Sequence, residues 1–315
     1  MNSSKAKATP GANLGSGTNS GACSEACPEA YSEICPDDSP NTCTNARPDA
    51  ANEMSARAKS TAPGLVSFVG AGPGDPELLT IKGRKAIEQA SLVIYAGSLV
   101  PPDVVACAAP GVPVVDSAPL TLEQCHDLVR RTALTGGAVA RVHTGDPSLY
   151  GALREQARLL DQDGIPWRVI PGVTAACAAA AAAGVTFTVP EVTQSLIITR
   201  MEGRTPVPER EALRLLAAHG TSLAVYLSAG ASENLQAELL AHTPPDTPVL
   251  CAYRVGWPDQ RLVWTTAGTL GQCVEEHGLV RQTVFLVLPG QNAADTASLL
   301  YAAKFSHGYR QASKD

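Results

Sequence analysis

Apolar and polar residues alternate in short blocks along the chain from residue 65 onward. Ten runs rich in Val, Ile and Leu end in small or polar residues, as strands do. Five lie in the first half of this region, LVSFVGAG, LVIYAG, VPVVDSA, AVARVHTGD and WRVIPG, and five in the second, SLIITR, SLAVYLSA, PVLCAYRV, LVWTTAG and TVFLVLPG. Segments with helical periodicity lie between the first five runs. This alternation predicts βαβ units, a mostly parallel sheet and an α/β fold.

Three segments between the strands carry helix signals. TLEQCHDLVRRTAL begins with a capping box of Thr121 and Gln124 and has one apolar stripe. SLYGALREQARLLDQDG places Leu149 and later apolar residues on one side and ends at Gly164. PGVTAACAAAAAAG predicts a small-residue helix that begins near Thr174.

Fewer helices separate the later strands, and VLCAYRVGWPDQRLVWTT is typical of two neighbouring strands joined by a turn. A second, mixed sheet is therefore expected, with a domain boundary near Pro171 and Gly172. We predict a disordered, cysteine-containing tail over 1–63, an N-terminal α/β domain over 64–172, a C-terminal α/β domain over 173–292, and a C-terminal helix or tail over 293–315.

The first 63 residues are rich in Ser, Ala, Pro, Asn and Gly, so they cannot bury enough apolar surface to offset their ordering entropy. The spacing of the cysteines in this tail matches no common zinc or iron–sulfur pattern. Reduced thiols are therefore expected for Cys23, Cys27, Cys35 and Cys43, and a metal or redox role is the alternative. The remaining cysteines stand in apolar contexts typical of small buried side chains: Cys107, Cys125, Cys177, Cys251 and Cys273.

Charge and hydropathy restrict the partners. A net charge of −6 and a pI near 5.6 argue against nucleic acid and against an anionic membrane surface, because both need a basic face. The Ala-rich segment is too short to span a bilayer. Lys5 and Lys7 precede no apolar segment of the kind found in secretory signals, so a cytoplasmic protein is expected.

Small or polar residues follow five of the strands, in GAGPGD, YAGS, HTGD, PGVT and LSAG. Ligands of open α/β sheets bind outside the carboxyl ends of the strands. We therefore expect these five loops to line one crevice between the two domains.

The loop VGAGPGDPELLT resembles a dinucleotide-binding loop in Gly70 and Gly72 but has Asp75 at the position of the third glycine. A carboxylate there opposes a phosphate, and Pro73 removes a backbone donor. A neutral or cationic ligand is favoured, and a tight turn without a ligand is the alternative.

Several motifs together resemble those of the tetrapyrrole methyltransferases: VGAGPGDPELLT, YAGSLV, VHTGDPSLYGA and PGVTAACAAAAAAG. YAGSLV, followed further on by VTFTVPEVTQSLIITRMEGRTPVPE, is most similar to the members that methylate carbon 11 of precorrin-4 or cobalt-precorrin-4 in cobalamin biosynthesis. The resemblance covers residues 66–290. It implies two α/β domains with the cofactor S-adenosylmethionine in the cleft between them, a precorrin substrate, and a homodimer.

The resemblance also implies cofactor contacts. The matching positions are Pro73, Thr144, Gly145, Asp146, Leu149, Thr174, Ala175, Leu227, and either Val255 or Gly256. Leu227 stands where relatives often have a methionine beside adenine. TGDPSLYGA differs from the GGDPFIFGRG of uroporphyrinogen III methyltransferases, which disfavours that substrate.

Asp75 and Asp146 are the candidates for catalytic carboxylates that order charge and protons in the cleft. For Asp146 the alternative is positioning of the cofactor, and for Asp75 it is capping of the helix in LLTIKGRKAIEQA. Among the histidines, His143 beside the TGD turn is a functional candidate, whereas His219 and His277 are expected at helix C-termini.

A precorrin carries many carboxylates, so an acidic protein needs local arginines to bind it. Arg200, Arg204 and Arg254 are the candidates, with solvated surface charges as the alternative. Tyr95, Ser98 and Tyr150 are candidates for the edge of the tetrapyrrole, or for packing at strand ends. No metal site is expected in the folded part.

Other functions stay open at this point. One is methylation of another precorrin, of uroporphyrinogen III, or of a protein or RNA. Another is a nucleotide-binding α/β protein without catalysis, against which the composition of the first loop argues.

Overall fold

The computed structural model describes residues 62–279, 281–293 and 296–312. Residues 1–61 of the predicted tail, which include its four cysteines, lie outside the described residues. All ten predicted strands are confirmed: β1 Val66–Gly70, β2 Leu92–Tyr95, β3 Val114–Asp116, β4 Val139–His143, β5 Trp167–Ile170, β6 Leu196–Arg200, β7 Ser222–Tyr226, β8 Pro248–Tyr253, β9 Arg261–Thr266 and β10 Thr283–Val287.

The first sheet has the order β3-β2-β4-β1-β5, and all of its strand pairs are parallel. Every residue of the central strands β1 and β4 is buried, because helices and loops cover both faces of the sheet. The chain continues from β1 to β2 and β3 on one side of the sheet, and from β4 to β5 on the other side. The direction of the connections therefore reverses between the neighbouring strands β1 and β4. This places the ends of β1, β4 and β5 side by side.

The second sheet has the order β6-β7-β10-β8-β9. Only β6 and β7 pair in parallel, and β7-β10, β10-β8 and β8-β9 are antiparallel, so the prediction of a mixed sheet is confirmed. The chain passes from the first sheet to the second between Ile170 and Leu196. The division into domains near residue 172 stays a prediction.

The helices are α1 Ile81–Glu88, α2 Pro102–Val105, α3 Leu122–Leu134, α4 Leu153–Gln162, α5 Ala175–Ala183, α6 Leu213–Ala217, α7 Ser232–Leu240 and α8 Leu270–Glu276. The predicted capping box of α3 is present. The C-terminal segment contains a single 3-10 turn at Leu299–Tyr301 within its described residues. None of the helices in the described ranges has the length and apolar character needed to span a bilayer.

Two details differ from the sequence expectations. Helix α4 begins at Leu153 rather than around Leu149, because Tyr150 and Ala152 have φ values of 56° and 47°, which an α-helix cannot accommodate. Cys177 is exposed on α5 and Cys107 is only half-buried, whereas Cys125, Cys251 and Cys273 are buried as expected.

Candidate functional site

Three loops meet through their glycines at the carboxyl ends of β1, β4 and β5. A Cβ added to Gly172 would collide with the carbonyl oxygen of Gly145 and lie 2.7 Å from Gly70 Cα. A Cβ on Gly70 would lie 2.6 Å from Gly172 Cα. The three backbones therefore approach more closely than any side chain permits, which explains the glycines in these motifs.

The first loop, residues 70–75, is bonded directly to the loop after β4. Gly72 and Gly145 form an isolated antiparallel β-bridge. Gly72 N donates to the Gly145 carbonyl oxygen at 3.2 Å, and Gly145 N donates to the Gly72 carbonyl oxygen at 2.7 Å. Gly145 has a φ of 60°. A Cβ added there would meet nothing closer than Thr174 Cα at 3.8 Å and Ala175 N at 4.0 Å. A methyl-sized space therefore lies between Gly145 and the start of α5.

The Asp146 carboxylate ties two of these loops together. One oxygen accepts hydrogen bonds from the backbone N–H and the hydroxyl of Ser148, and the other accepts one from Gly172 N at 3.0 Å. Burial raises the pKa of Asp146, but these hydrogen bonds outweigh burial and hold the pKa below its usual value. Asp146 is therefore an ionised group with both oxygens engaged inside the protein.

Asp75 caps a different element from the one expected. Its side chain accepts a hydrogen bond from Glu77 N at 2.8 Å and so begins the 3-10 turn Pro76–Leu78. Helix α1 is capped by Thr80 instead, so the capping alternative named the wrong helix. The sequence signal was ambiguous because Asp75 and Thr80 are both good N-cap residues.

A turn of the second sheet packs on the first loop. A Cβ on Gly256 would lie 3.1 Å from Pro73 Cγ, and a Cβ on Gly74 would lie 2.6 Å from Trp257 Nε1. Val255 is 4% exposed and belongs to the core, so Gly256 is the better placed of the two alternative contacts. The two sheets therefore contribute adjacent residues to one site.

The start of α5 meets the end of β7 through a tyrosine. The Tyr226 hydroxyl lies 2.6 Å from Thr174 Oγ1 and accepts a hydrogen bond from Ala176 N at 2.8 Å. The next residue, Leu227, has a φ of 54° and is 70% exposed. An apolar side chain held outward in a left-handed conformation suits a contact with a ligand.

Two of the three predicted substrate arginines already have partners. Arg200 donates hydrogen bonds to the carbonyl oxygens of Met201, Thr205 and Pro206. Arg254 forms an ion pair with Asp259 at 2.7 Å and stacks 4.0 Å over the Trp257 ring. Arg204 is exposed. Arg200 and Arg254 therefore shape their own loops, and the substrate role of all three stays a prediction.

The other predicted substrate contacts lie around the same edge of the first sheet. The Ser98 carbonyl accepts a hydrogen bond from Gln282 Nε2 at 2.7 Å, which links the YAGS loop to the second sheet. The Tyr95 side chain is half-buried at the end of β2. The Tyr150 ring is exposed and lies 5.9 Å from the Tyr226 ring.

His143 ends β4 as a buried residue. It is 6% exposed, and its Nε2 has no hydrogen-bond partner among the described residues. Burial, together with the nearby charge of Arg141, lowers its pKa to about 3. A neutral imidazole of this kind is unsuited to proton transfer near neutral pH, which disfavours the functional hypothesis for His143. His277 does cap a helix, since its Nδ1 lies 3.0 Å from the Cys273 carbonyl.

Sequence reasoning missed several residues of the site, among them Tyr226, Trp257, Gln282 and Ser148. Tyr226 stands directly before Leu227 at a strand end, and this position was the available signal. The sequence indicates only that Trp257 belongs to the turn between two strands. Nothing in the sequence marks Gln282 as the partner of Ser98. The described residues contain no group of three or more His, Cys, Asp or Glu side chains suited to a metal ion.

Known proteins are similar to this chain in sequence and fold. Residues 65–271 match the family model of the tetrapyrrole (corrin/porphyrin) methylases. The precorrin-4 C(11)-methyltransferase of Pseudomonas aeruginosa is 44% identical over 78% of this chain and 98% of its own length. The cobalt-precorrin-4 C(11)-methyltransferase of Priestia megaterium is 42% identical, with the same shares covered.

Solved structures agree with this relationship. The crystal structure of a cobalt-precorrin-4 methyltransferase matches with a TM-score of 0.70 and 40% identity, covering 75% of this chain and 98% of that one. A uroporphyrin-III C-methyltransferase from Thermus thermophilus, complexed with S-adenosylhomocysteine, matches with a TM-score of 0.57 and 28% identity, covering 71% of this chain and 97% of that one. The family model, the sequence identities and the shared fold lead to one conclusion: this chain belongs to the tetrapyrrole methyltransferase family.

Proposed function

We propose that the protein transfers a methyl group from S-adenosylmethionine to carbon 11 of a precorrin-4 macrocycle, with or without cobalt, in cobalamin biosynthesis. The observation that carries this proposal is the sequence identity of 42% and 44% with two relatives named as C(11)-methyltransferases. The matches cover 98% of the length of each relative. The departure from the uroporphyrinogen III motif in TGDPSLYGA favours the same substrate level.

The residues at the strand ends fit the cofactor. The space beside Gly145 and the outward Leu227 offer a close backbone approach and an apolar contact for an adenosyl group. The carboxylate of Asp75 opposes a phosphate but not a cation. When bound, S-adenosylmethionine supplies a methyl group already activated by a sulfonium. We assign cofactor contacts to Pro73, Thr144, Gly145, Asp146, Leu149, Thr174, Ala175, Leu227 and Gly256.

With an activated methyl group, the chain's own work is to orient the reactants and exclude water. Positioning can lower the barrier by up to about 7–11 kcal/mol. Asp146 has both oxygens engaged, so we assign it to holding the cofactor-binding loops in place. Asp75 uses one oxygen to cap its turn, and its second oxygen has no hydrogen-bond partner among the described residues. We therefore assign proton acceptance from the substrate to Asp75.

Incubation under anaerobic conditions with S-adenosylmethionine tests the reaction. Precorrin-4, cobalt-precorrin-4 and uroporphyrinogen III are supplied in parallel, and the products are analysed by mass spectrometry and NMR. One added methyl on carbon 11 is expected, and the faster of the first two substrates identifies the metal state. Methylation of uroporphyrinogen III alone would contradict the proposed substrate.

A homodimer and a cytoplasmic location complete the proposal. Light scattering on the purified full chain is expected to give twice the monomer mass of 32.6 kDa. Cell fractionation is expected to recover the protein with cytoplasmic markers. A monomer that is fully active would contradict the dimer.

A further inference from the structure

Tyr226 connects two predicted cofactor contacts, Leu227 next to it in the chain and Thr174 at its hydroxyl. Tyr226 ends β7 immediately before Leu227, and its hydroxyl bonds Thr174, the residue that begins α5. The two partners are separated by 52 positions in the chain, so the contact is a product of the fold. Removal of this hydroxyl therefore acts directly on Thr174.

The direction of this hydrogen bond follows from the inventory of donors and acceptors. Ala176 N is only a donor, so it occupies one lone pair of the Tyr226 oxygen. Burial raises the pKa of Tyr226, and the hydroxyl keeps its proton. In the described part of the chain, Thr174 Oγ1 is the only acceptor within bonding distance of that proton. Tyr226 therefore donates, and Thr174 accepts.

The consequence concerns the remaining hydrogen of Thr174. Thr174 Oγ1 has no second hydrogen-bond partner among the described residues, so its own hydrogen is available for a ligand. The Thr174 backbone lies directly across the methyl-sized space from Gly145. A threonine hydroxyl has one hydrogen to donate and two lone pairs that accept; the bond from Tyr226 occupies one lone pair and leaves the Thr174 hydrogen free to donate.

We propose that Tyr226 is a positioning residue that orients the Thr174 hydroxyl as a hydrogen-bond donor to an acceptor atom of the cofactor. This inference rests on the proposed function, because it takes S-adenosylmethionine as the ligand. Further hydrogen bonds extend this network. The Ser228 hydroxyl donates to the Tyr226 carbonyl oxygen, and Met201 N donates to the Ser228 hydroxyl oxygen. The end of β7, which carries Tyr226, is thus bonded to the loop after β6.

A double-mutant cycle on the binding of S-adenosylhomocysteine, measured by calorimetry, tests this role. Tyr226→Phe and Thr174→Val are each expected to weaken binding about three- to tenfold. The double variant should bind no more weakly than Thr174→Val alone, because Tyr226 acts through Thr174. In turnover, Tyr226→Phe should raise KM for S-adenosylmethionine more than it lowers kcat.

Tyr253→Phe is the matched control. It removes a phenolic hydroxyl that makes no hydrogen bond to the described residues and keeps the ring under Arg261, 4.4 Å away. Its affinity should equal that of the wild type. A wild-type protein that does not bind S-adenosylhomocysteine would overturn the proposed function and the inference together. Binding by the wild type with no loss in Tyr226→Phe, or with losses that multiply in the double variant, would overturn the inference alone.

Discussion

Replacing Gly145 by alanine separates ligand binding from folding. The new methyl group would lie 3.8 Å from Thr174 Cα and 4.0 Å from Ala175 N, so it meets no atom of the protein too closely. The φ of 60° disfavours any residue with a Cβ by about 1–2 kcal/mol. In a folded unit of this size, such a loss lowers Tm by roughly 2–8 °C. The variant should therefore fold.

The same methyl group occupies space that we assign to the cofactor. Overpacking of a close contact costs about 1–3 kcal/mol, which corresponds to a roughly 5- to 150-fold weaker affinity. Calorimetric titration with S-adenosylhomocysteine measures this loss directly. Thermal unfolding without ligand measures the backbone effect in the same preparation.

Gly164→Ala is the matched control for the backbone effect. Gly164 has a φ of 64°, and a Cβ there meets nothing within 4 Å. It lies at the end of α4, outside the assigned site, so the variant should lose similar stability and no affinity. If Gly145→Ala binds S-adenosylhomocysteine as tightly as Gly164→Ala does, the cofactor does not occupy the space beside Gly145.

Three further predictions follow from the same region. Gly172→Ala should unfold at a lower temperature than Gly145→Ala and bind no cofactor, because its Cβ would collide with the Gly145 carbonyl; calorimetry tests both results. His143 is neutral in the folded state with a pKa of about 3 and titrates at 6.5 when unfolded, so stability falls as pH drops from 6.5 toward 3. The loss should approach 1.4 kcal/mol per pH unit, and His143→Gln should flatten this slope in urea titrations; an unchanged slope would contradict the buried neutral state. Asp146→Asn should lower the free energy of unfolding by about 1 kcal/mol at pH 7. Because the folded-state pKa of Asp146 is depressed, the difference from the wild type should shrink as pH falls below 3.8, and a constant difference would show that the carboxylate charge does not matter.

Sequence patterns alone determined the elements and their class. The ten strands, the capping box of Thr121 and Gln124, and the mixed second sheet follow from local periodicity and from turn residues. These signals depend on neighbours within a few positions, which the sequence displays directly. The glycines at the strand ends also indicated a ligand region, because close backbone approach needs them.

Tertiary structure alone decided how the side chains of that region are used. Asp146 bonds Gly172, Arg254 pairs with Asp259, and the Thr174 hydroxyl meets Tyr226. For Asp146 and Thr174, partners 26 and 52 positions away are brought within hydrogen-bond distance by the packing of strands and helices. A carboxylate or hydroxyl can serve several chemical roles, and the donors and acceptors that the fold places around it select one.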